Sequence, residues 1–351
     1  MVGVLMRNED ALHLAEIVEV YEIGVERKKP RVEQRGALFG RHGKAGIGES
    51  ADDRHSATLA EVGYEKAVSH PYGRKRRHLS GLVSSPMTDE LPAVQLKNVD
   101  VVRSGRKLLN DISWTIEAHE RWVLFGPNGC GKTTLLQVVS SYLFPTRGAV
   151  TVLGVTLGES DVRELRKRIG YVGPTPAHLV REGYDCLEIV VTGKHASFVD
   201  TRWHTYEEAD FDRAVQLLES LGAGAFVHRT FDTMSEGEKK RILIARALMA
   251  KPELLLLDEP NAGLDLGARE RLVRSLDDLG RDAGIPMVLV THHVDDIPGS
   301  FTHIIMLNNG EVIASGEIKQ TLTSQAVSDT FDMPLEVSFE AGRFRATAPR
   351  G

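Results

Sequence analysis

Apolar and polar positions follow regular patterns from Ala93 onwards. The strings AVQLKNVDVV and LLNDISWTI alternate between apolar and polar residues, which predicts two half-buried β-strands. The runs RWVLFG, ELLLLDEP and PMVLVTH are apolar almost throughout, as is typical of parallel strands buried on both faces. Further strands are predicted at GAVTVLG, RKRIGYVG and HIIMLNNGEVIASG.

Helical periodicity occupies the intervals between these strands. Helices are predicted at TLLQVVSSYL, YDCLEIVVTG, EEADFDRAVQLLESLG and RILIARALMA, and from about Gly267 to Asp282. Strands that alternate with helices predict an α/β fold around a parallel sheet, with the functional loops at the carboxyl ends of its strands.

The chain divides near residue 87. Residues 1–86 show little periodicity and are expected to be an N-terminal extension that is either disordered or not part of the native fold. Their basic run, Arg74 to Arg77, is either a patch for nucleic acid or acidic lipid or a solvated charge run, and the second interpretation is favoured. The main domain is predicted at 87–325, with a helical subdomain at about 178–250 and a tail at 326–351.

Composition narrows the class of protein. The 351 residues are 42% hydrophobic and 26% charged, as in soluble globular proteins, and the formal net charge of −6 gives no reason to expect nucleic-acid binding. No apolar run approaches the roughly 18 residues that span a bilayer. With two cysteines and no secretion pattern, the chain is expected in the cytoplasm, and any link to a membrane goes through a partner.

The string GPNGCGKTT lies between a predicted strand and a predicted helix. This is the context of a phosphate-binding loop, in which backbone N–H groups and a helix N-terminus face the phosphates of a nucleotide. Lys132 supplies a charge to those phosphates, and the Thr133 hydroxyl is a candidate ligand for Mg²⁺. The predicted nucleotide-binding residues are Gly126, Pro127, Asn128, Gly129, Cys130, Gly131, Lys132, Thr133 and Thr134.

Two further strand ends carry candidate catalytic residues. LLLLDEP ends in Asp258, a candidate for holding Mg²⁺ through water, and in Glu259, a candidate for orienting or deprotonating an attacking water. VLVTHH ends in a pair of histidines. The first of them, His292, is a candidate hydrogen-bond donor to the γ-phosphate. An acidic pair or a histidine at a strand end is unremarkable alone. The order of the motifs along the chain favours the catalytic interpretation of Asp258, Glu259 and His292.

The string TMSEGEKK precedes the apolar helix RILIARALMA. Ser235 and Glu238 have the spacing of a capping box, which many ordinary helices share. The blocks GPNGCGKTT, MSEGE, LLLLDEP, NAGLD and THH together resemble the ATP-binding cassette (ABC) family, as Walker A, signature, Walker B, D-loop and switch histidine. The resemblance covers residues 92 to about 320.

The resemblance implies an ATPase with ATP and Mg²⁺ as cofactors. The implied fold is a P-loop core with a parallel sheet, an N-terminal antiparallel β subdomain and an α-helical signature subdomain. Two such domains pair head to tail, as a homodimer or with a second ABC ATPase. Asp265 of the D-loop then reaches across the interface. The signature residues Ser235, Glu236, Gly237 and Glu238 act in trans, with free N–H groups at Ser235 to Gly237 for the γ-phosphate.

Two positions depart from the family pattern. After RIGYV, the family has a glutamine that touches Mg²⁺ and couples to a permease, whereas this chain reads GPTPAH, where Thr175, His178 or a water takes its place. Before the first glycine turn, where an adenine-stacking aromatic residue is expected, the nearest candidate is Arg103. Its guanidinium either stacks on the purine or is solvated.

Two functions remain open at this point. The first is the ATPase subunit of a transporter, peripheral on the inner face of the cell membrane, which drives a small solute through a separate permease. The start of the helical insertion is similar to metal-chelate importers, and other short strings are similar to molybdate-uptake-related cassettes. The alternative, favoured by the missing glutamine, is a soluble ABC ATPase with a regulatory, stress or DNA-associated role.

Overall fold

The computed structural model describes residues 91–159, 161–173, 183–196 and 204–349. The predictions for residues 1–86 and for Thr175 and His178 lie outside the described residues. The described strands are β1 Val94–Arg103, β2 Arg106–Ile116, β3 Arg121–Phe125, β4 Arg147–Val152, β5 Val155–Thr156, β6 Ile169–Val172, β7 Leu254–Asp258, β8 Met287–Thr291, β9 His303–Asn308, β10 Glu311–Glu317, β11 Glu336–Glu340 and β12 Arg343–Thr347.

The strands form a central sheet and two smaller ones. The central sheet has the order β10-β9-β3-β8-β7-β6, in which β3 pairs in parallel with β8 and β9, and β7 with β6 and β8. An antiparallel sheet has the order β2-β1-β4-β5, and β11 pairs with β12 in a hairpin. The carboxyl ends of β3, β7 and β8 therefore meet at one edge of the central sheet.

The helices cover the central sheet and form a helical subdomain. They are α1 Lys132–Val139, α2 Val162–Lys167, α3 Cys186–Thr192, α4 Glu208–Ser220, α5 Glu236–Met249, α6 Leu266–Asp282, α7 Ile318–Thr321 and α8 Ser324–Phe331. α3, α4 and α5 pack against one another. In the described part of the chain, no helix has the length and apolar character that crossing a membrane requires.

The central sheet separates two apolar clusters. On β7, Leu255 and Leu257 face the helical subdomain, while Leu254 and Leu256 face the antiparallel sheet and α1. All four side chains are fully buried. A strand that is buried on both faces needs apolar residues at every position, which explains the unbroken leucine run.

Two predicted elements differ from the structure, and one region contains elements that were not predicted. RKRIGYVG is a strand only from Ile169, because Asp161 accepts a hydrogen bond from the Arg163 N–H and caps a short helix that runs to Lys167. The helix predicted at TLLQVVSSYL ends at Val139, and Ser141 has a left-handed backbone. No element was predicted for residues 326–351, where the structure places most of α8 and the hairpin β11–β12.

Candidate active site

The phosphate loop joins β3 to α1 at the carboxyl edge of the central sheet. Gly126 has a φ of +152°, and a Cβ there would overlap the carbonyl oxygen of Leu307, so the close approach of these two chain segments requires glycine. α1 begins after Gly131 without a side-chain cap, and its first turn carries no acidic residue. Its N-terminal N–H groups therefore have no carboxylate of their own first turn as a hydrogen-bond acceptor, which favours the binding of an anion.

Lys132 is buried inside the loop that precedes it. Its ammonium donates to the carbonyl oxygens of Gly126, at 2.8 Å, and Pro127, at 2.9 Å. The same Nζ lies 3.6 Å from Oε1 of Glu259. The loop thus holds the lysine charge next to the end of β7.

A cavity of about 530 Å³ opens beside the loop. The sequence left Arg103 either stacked on the adenine or solvated. Arg103 is exposed at the end of β1, and the described cavity lining contains Arg106, which follows the chain reversal at Ser104–Gly105. The described lining residues are Arg106, Lys107, Leu108, Asn128, Gly129, Gly131, Lys132, Thr133, Thr134, Asp258, Glu259, Asn309 and Gly310.

Cys130 belongs to the loop but is buried among apolar residues of the core. Burial raises the pKa of its thiol above the ordinary value, and the nearby charge of Lys132 only partly offsets this. The side chain is therefore a small buried residue of the loop rather than a reactive thiolate.

Asp258 ends β7 at the floor of the cavity. Burial, followed by the charge of Glu259, raises the pKa of its carboxyl group, and a hydrogen bond from the Thr133 hydroxyl opposes the shift. The hydroxyl of Tyr171 donates to Asp258 Oδ2 at 3.4 Å. Sequence reasoning missed Tyr171, although a polar hydroxyl inside the apolar string RIGYV was the available signal.

Glu259 and His292 come together from neighbouring strands. Glu259 follows β7 with a left-handed φ of +45°, which directs its carboxylate away from the strand axis. His292 follows β8, and its Nδ1 lies 3.2 Å from Glu259 Oε1. The two residues are thus in contact, and Glu259 also lines the cavity.

The signature residues form a complete helix cap. Ser235 Oγ accepts from the Glu238 N–H at 3.4 Å, and Glu238 Oε2 accepts from the Ser235 N–H at 2.8 Å. The prediction of a free N–H at Ser235 is therefore wrong for this state. The N–H groups of Glu236 and Gly237 precede the first helical hydrogen bond of α5, from the Lys239 N–H to Ser235 O.

The signature turn packs against the start of α6. Gly237 is buried, and a Cβ there would lie 2.8 Å from the Cβ of Ala268. Asp265 accepts a hydrogen bond from the Ala268 N–H at 2.7 Å and caps α6. Signature and D-loop are thus fixed to each other within one molecule, while the cavity lining described above contains neither of them.

Known proteins of one family match this chain. The family model described as ABC transporter matches residues 109–262. A Bacillus subtilis protein named "Uncharacterized ABC transporter ATP-binding protein YlmA" is 43% identical over 252 residues, which are 71% of this chain and 95% of the relative. The chain belongs to the ABC transporter ATP-binding protein family. It binds ATP and is an ATPase, as the resemblance implied.

Other members of the family extend the comparison. The "Phosphonates import ATP-binding protein PhnC" of Bordetella parapertussis is 31% identical over 227 residues, which are 62% of this chain and 88% of the relative. The structure of cbiO1 from Clostridium perfringens, part of the ABC transporter complex cbiONQ, matches with a TM-score of 0.58 and 26% identity over 65% of this chain and 90% of its own. The predicted α/β cassette fold is confirmed.

One solved relative is a dimer. The cassette MJ0796, in a post-hydrolysis state bound to ADP and Pi, matches with a TM-score of 0.55 and 26% identity over 64% of this chain and 98% of its own. A cassette of similar fold is therefore a dimer in a state that binds ADP and Pi.

Proposed function

We propose that the chain is the ATP-hydrolysing subunit that drives a small solute through a separate membrane permease. The observation that carries this proposal is the convergence of Lys132, Asp258 and Glu259 on one cavity at the start of an uncapped helix. The cavity is the site proposed for ATP.

The phosphate loop binds the β- and γ-phosphates through backbone N–H groups of residues 128–134, which include the N-terminus of α1. Lys132 exchanges its carbonyl partners for phosphate oxygens. The hydroxyl of Thr133 and the carboxylate of Asp258, already hydrogen-bonded to each other, are the hard oxygen donors that Mg²⁺ prefers. When bound, the ion neutralises charge on the phosphates.

Glu259 is proposed to orient the attacking water and to accept its proton. The water oxygen bonds to the γ-phosphorus while the bond from that phosphorus to the β–γ bridging oxygen breaks, which yields ADP and phosphate. His292 holds the Glu259 carboxylate through Nδ1, and with both ring nitrogens protonated its Nε2 donates to a phosphoryl oxygen.

The second half of each ATP site is proposed to come from another molecule. The cavity opens at the surface, whereas the N–H groups of Glu236 and Gly237 point away from their own helix and have no helical acceptor. A head-to-tail dimer places these groups over the γ-phosphate of the partner, with Ser235 nearby and Asp265 crossing the interface. The partner is a second copy or another ABC ATPase, and the dimeric cassette of similar fold supports this arrangement.

Transport is proposed from the relatives. They include named importers of phosphonates and a subunit of a transporter complex, and a transporter described as metal-chelate type shares the fold. The proposal names a small solute as cargo, with a metal chelate as one candidate. The ATPase then lies on the cytoplasmic face of the membrane, bound to its permease.

The test is co-purification from detergent-solubilised cells with an affinity tag on the chain. A polytopic membrane protein that elutes with the tag, and that changes the ATPase rate when reconstituted in vesicles, is the expected result. If no membrane protein elutes and the ATPase rate is at its full value without membranes, the proposal of a transport function is wrong. The soluble regulatory, stress or DNA-associated role then replaces it, which the glutamine-free sequence GPTPAH favours.

A further inference from the structure

The C-terminal hairpin, β11–β12, packs against the turn that follows β8. This turn, Val294–Asp296, begins two residues after His292. Arg343 at the start of β12 makes the polar connection. Its Nη1 lies 2.7 Å from Glu270 Oε2 on α6, and its Nη2 donates to the carbonyl oxygen of Asp295 in the turn.

A second arginine joins the same turn to α6 from within. Arg269, the neighbour of Glu270, pairs with Asp295 at 2.9 Å through Nη2, and its Nε donates to Asp296 Oδ1. The two arginines thus hold consecutive residues of the turn, one from the hairpin and one from α6. A guanidinium fork that binds two acceptors fixes orientation as well as distance.

The buried end of this network reaches the last residue of β8. Asp296 Oδ2 accepts from the Thr291 hydroxyl at 3.0 Å, and both side chains are buried. Thr291 Oγ1 in turn accepts from the His293 N–H at 3.1 Å. The residue between these two anchors is His292, so the backbone that carries the histidine is fixed on both sides.

We propose that Arg343 is a positioning residue for ATP hydrolysis. It holds the turn 294–296 against α6 and so sets where His292 stands relative to Glu259. The inference rests on the role proposed above for His292. It assigns a part in catalysis to a C-terminal hairpin that lies outside the matched family region, residues 109–262.

Removal of the guanidinium leaves Glu270 and the Asp295 carbonyl to water, while Arg269 still holds the turn from the other side. The effect expected is therefore partial. An offset of a fraction of an ångström at a catalytic group slows chemistry far more than it weakens substrate binding.

The variant Arg343→Gln tests the inference in purified, full-length protein. Its kcat for ATP is expected to fall about tenfold, with KM within about twofold, and Arg343→Lys is expected to recover part of the loss. Arg345→Gln is the matched control, because Arg345 lies on the same strand and pairs only with Glu340 of the hairpin at 3.7 Å among the described residues. If Arg343→Gln folds poorly, Glu270→Gln removes the same ion pair from α6.

A double-mutant cycle separates positioning from plain stability. If Arg343 acts through His292, Arg343→Gln has little further effect on kcat in a His292→Ala background. Full additivity of the two losses, or a lowered Tm with unchanged kcat per folded site, overturns the inference and leaves the role of His292 standing. An unchanged kcat in His292→Ala alone overturns the role of His292 and this inference with it.

Discussion

His292 Nδ1 lies 3.2 Å from Glu259 Oε1, and the two residues come from the ends of neighbouring parallel strands, β8 and β7. The contact holds the carboxylate proposed as the general base in one orientation, which organises part of the proposed site.

His292→Ala is expected to lower kcat by about 100-fold, because it removes both the support for Glu259 and the donor to the phosphoryl oxygen. ATP affinity should change less than about twofold, since phosphate binding rests on the loop and on Lys132. Steady-state ATPase assays and equilibrium binding of ATP measure the two quantities. His293→Ala, whose side chain makes no described contact with Glu259, should keep kcat within about threefold.

Lys132→Ala should instead weaken ATP binding, by about 10- to 100-fold, because it removes a charge-assisted contact to the phosphates. Isothermal titration with ATP measures the change. Lys167→Ala is the control, since Lys167 is exposed and pairs with Glu164 on α2. Equal affinities of wild type and Lys132→Ala would contradict the assignment of this cavity to ATP.

Asp258→Asn should stabilise the nucleotide-free protein and abolish its ATPase activity. Burial raises the pKa of Asp258 in the folded state, so the group's contribution to stability is lost as pH rises through that pKa, and the buried carboxylate is destabilising at neutral pH. The variant should raise Tm by about 2–4 °C at pH 7.5 and by less at pH 5. Calorimetry at both pH values tests this, with Asp278→Asn on the exposed face of α6 as control.

Complementation tests whether the signature acts in trans. Lys132→Ala and Ser235→Ala should each be nearly inactive alone. A mixed dimer holds one site with an intact lysine from one chain and an intact serine from the other, so activity should return to a measurable fraction of wild type. Two differently tagged chains, purified together, isolate the mixed species. No recovery in a confirmed mixed dimer, with both single variants inactive, would contradict the head-to-tail arrangement.

Much of this site was readable in the sequence because its residues follow apolar strands. The unbroken run LLLLD fixes where β7 ends and hence where Asp258 and Glu259 stand. Arg106 was missed because its place depends on the reversal at Ser104–Gly105, and Tyr171 because its contact with Asp258 joins residues far apart in sequence. The hairpin was missed although EVSFE and RFRAT alternate, because each strand has only five residues and neither contains a fully buried position.

The signature was interpreted correctly only in part. Ser235 and Glu238 were predicted as a capping pair, and that pair itself places the Glu238 carboxylate on the Ser235 N–H, which is therefore not free. Helix capping and anion binding compete for the same few N–H groups. The N–H groups of Glu236 and Gly237 have no acceptor within their own helix, so they are the ones proposed to bind a phosphate.

The central claim is that Glu259 activates the attacking water in an ATP site completed by a second molecule. The most direct measurement is ATP turnover by Glu259→Gln, combined with its oligomeric state in ATP by size-exclusion chromatography with light scattering. The expected result is a loss of kcat of at least about 100-fold, with ATP still bound and a stable dimer that wild type forms only transiently. Turnover near the wild-type rate, or a variant that stays monomeric while saturated with ATP, would contradict the account.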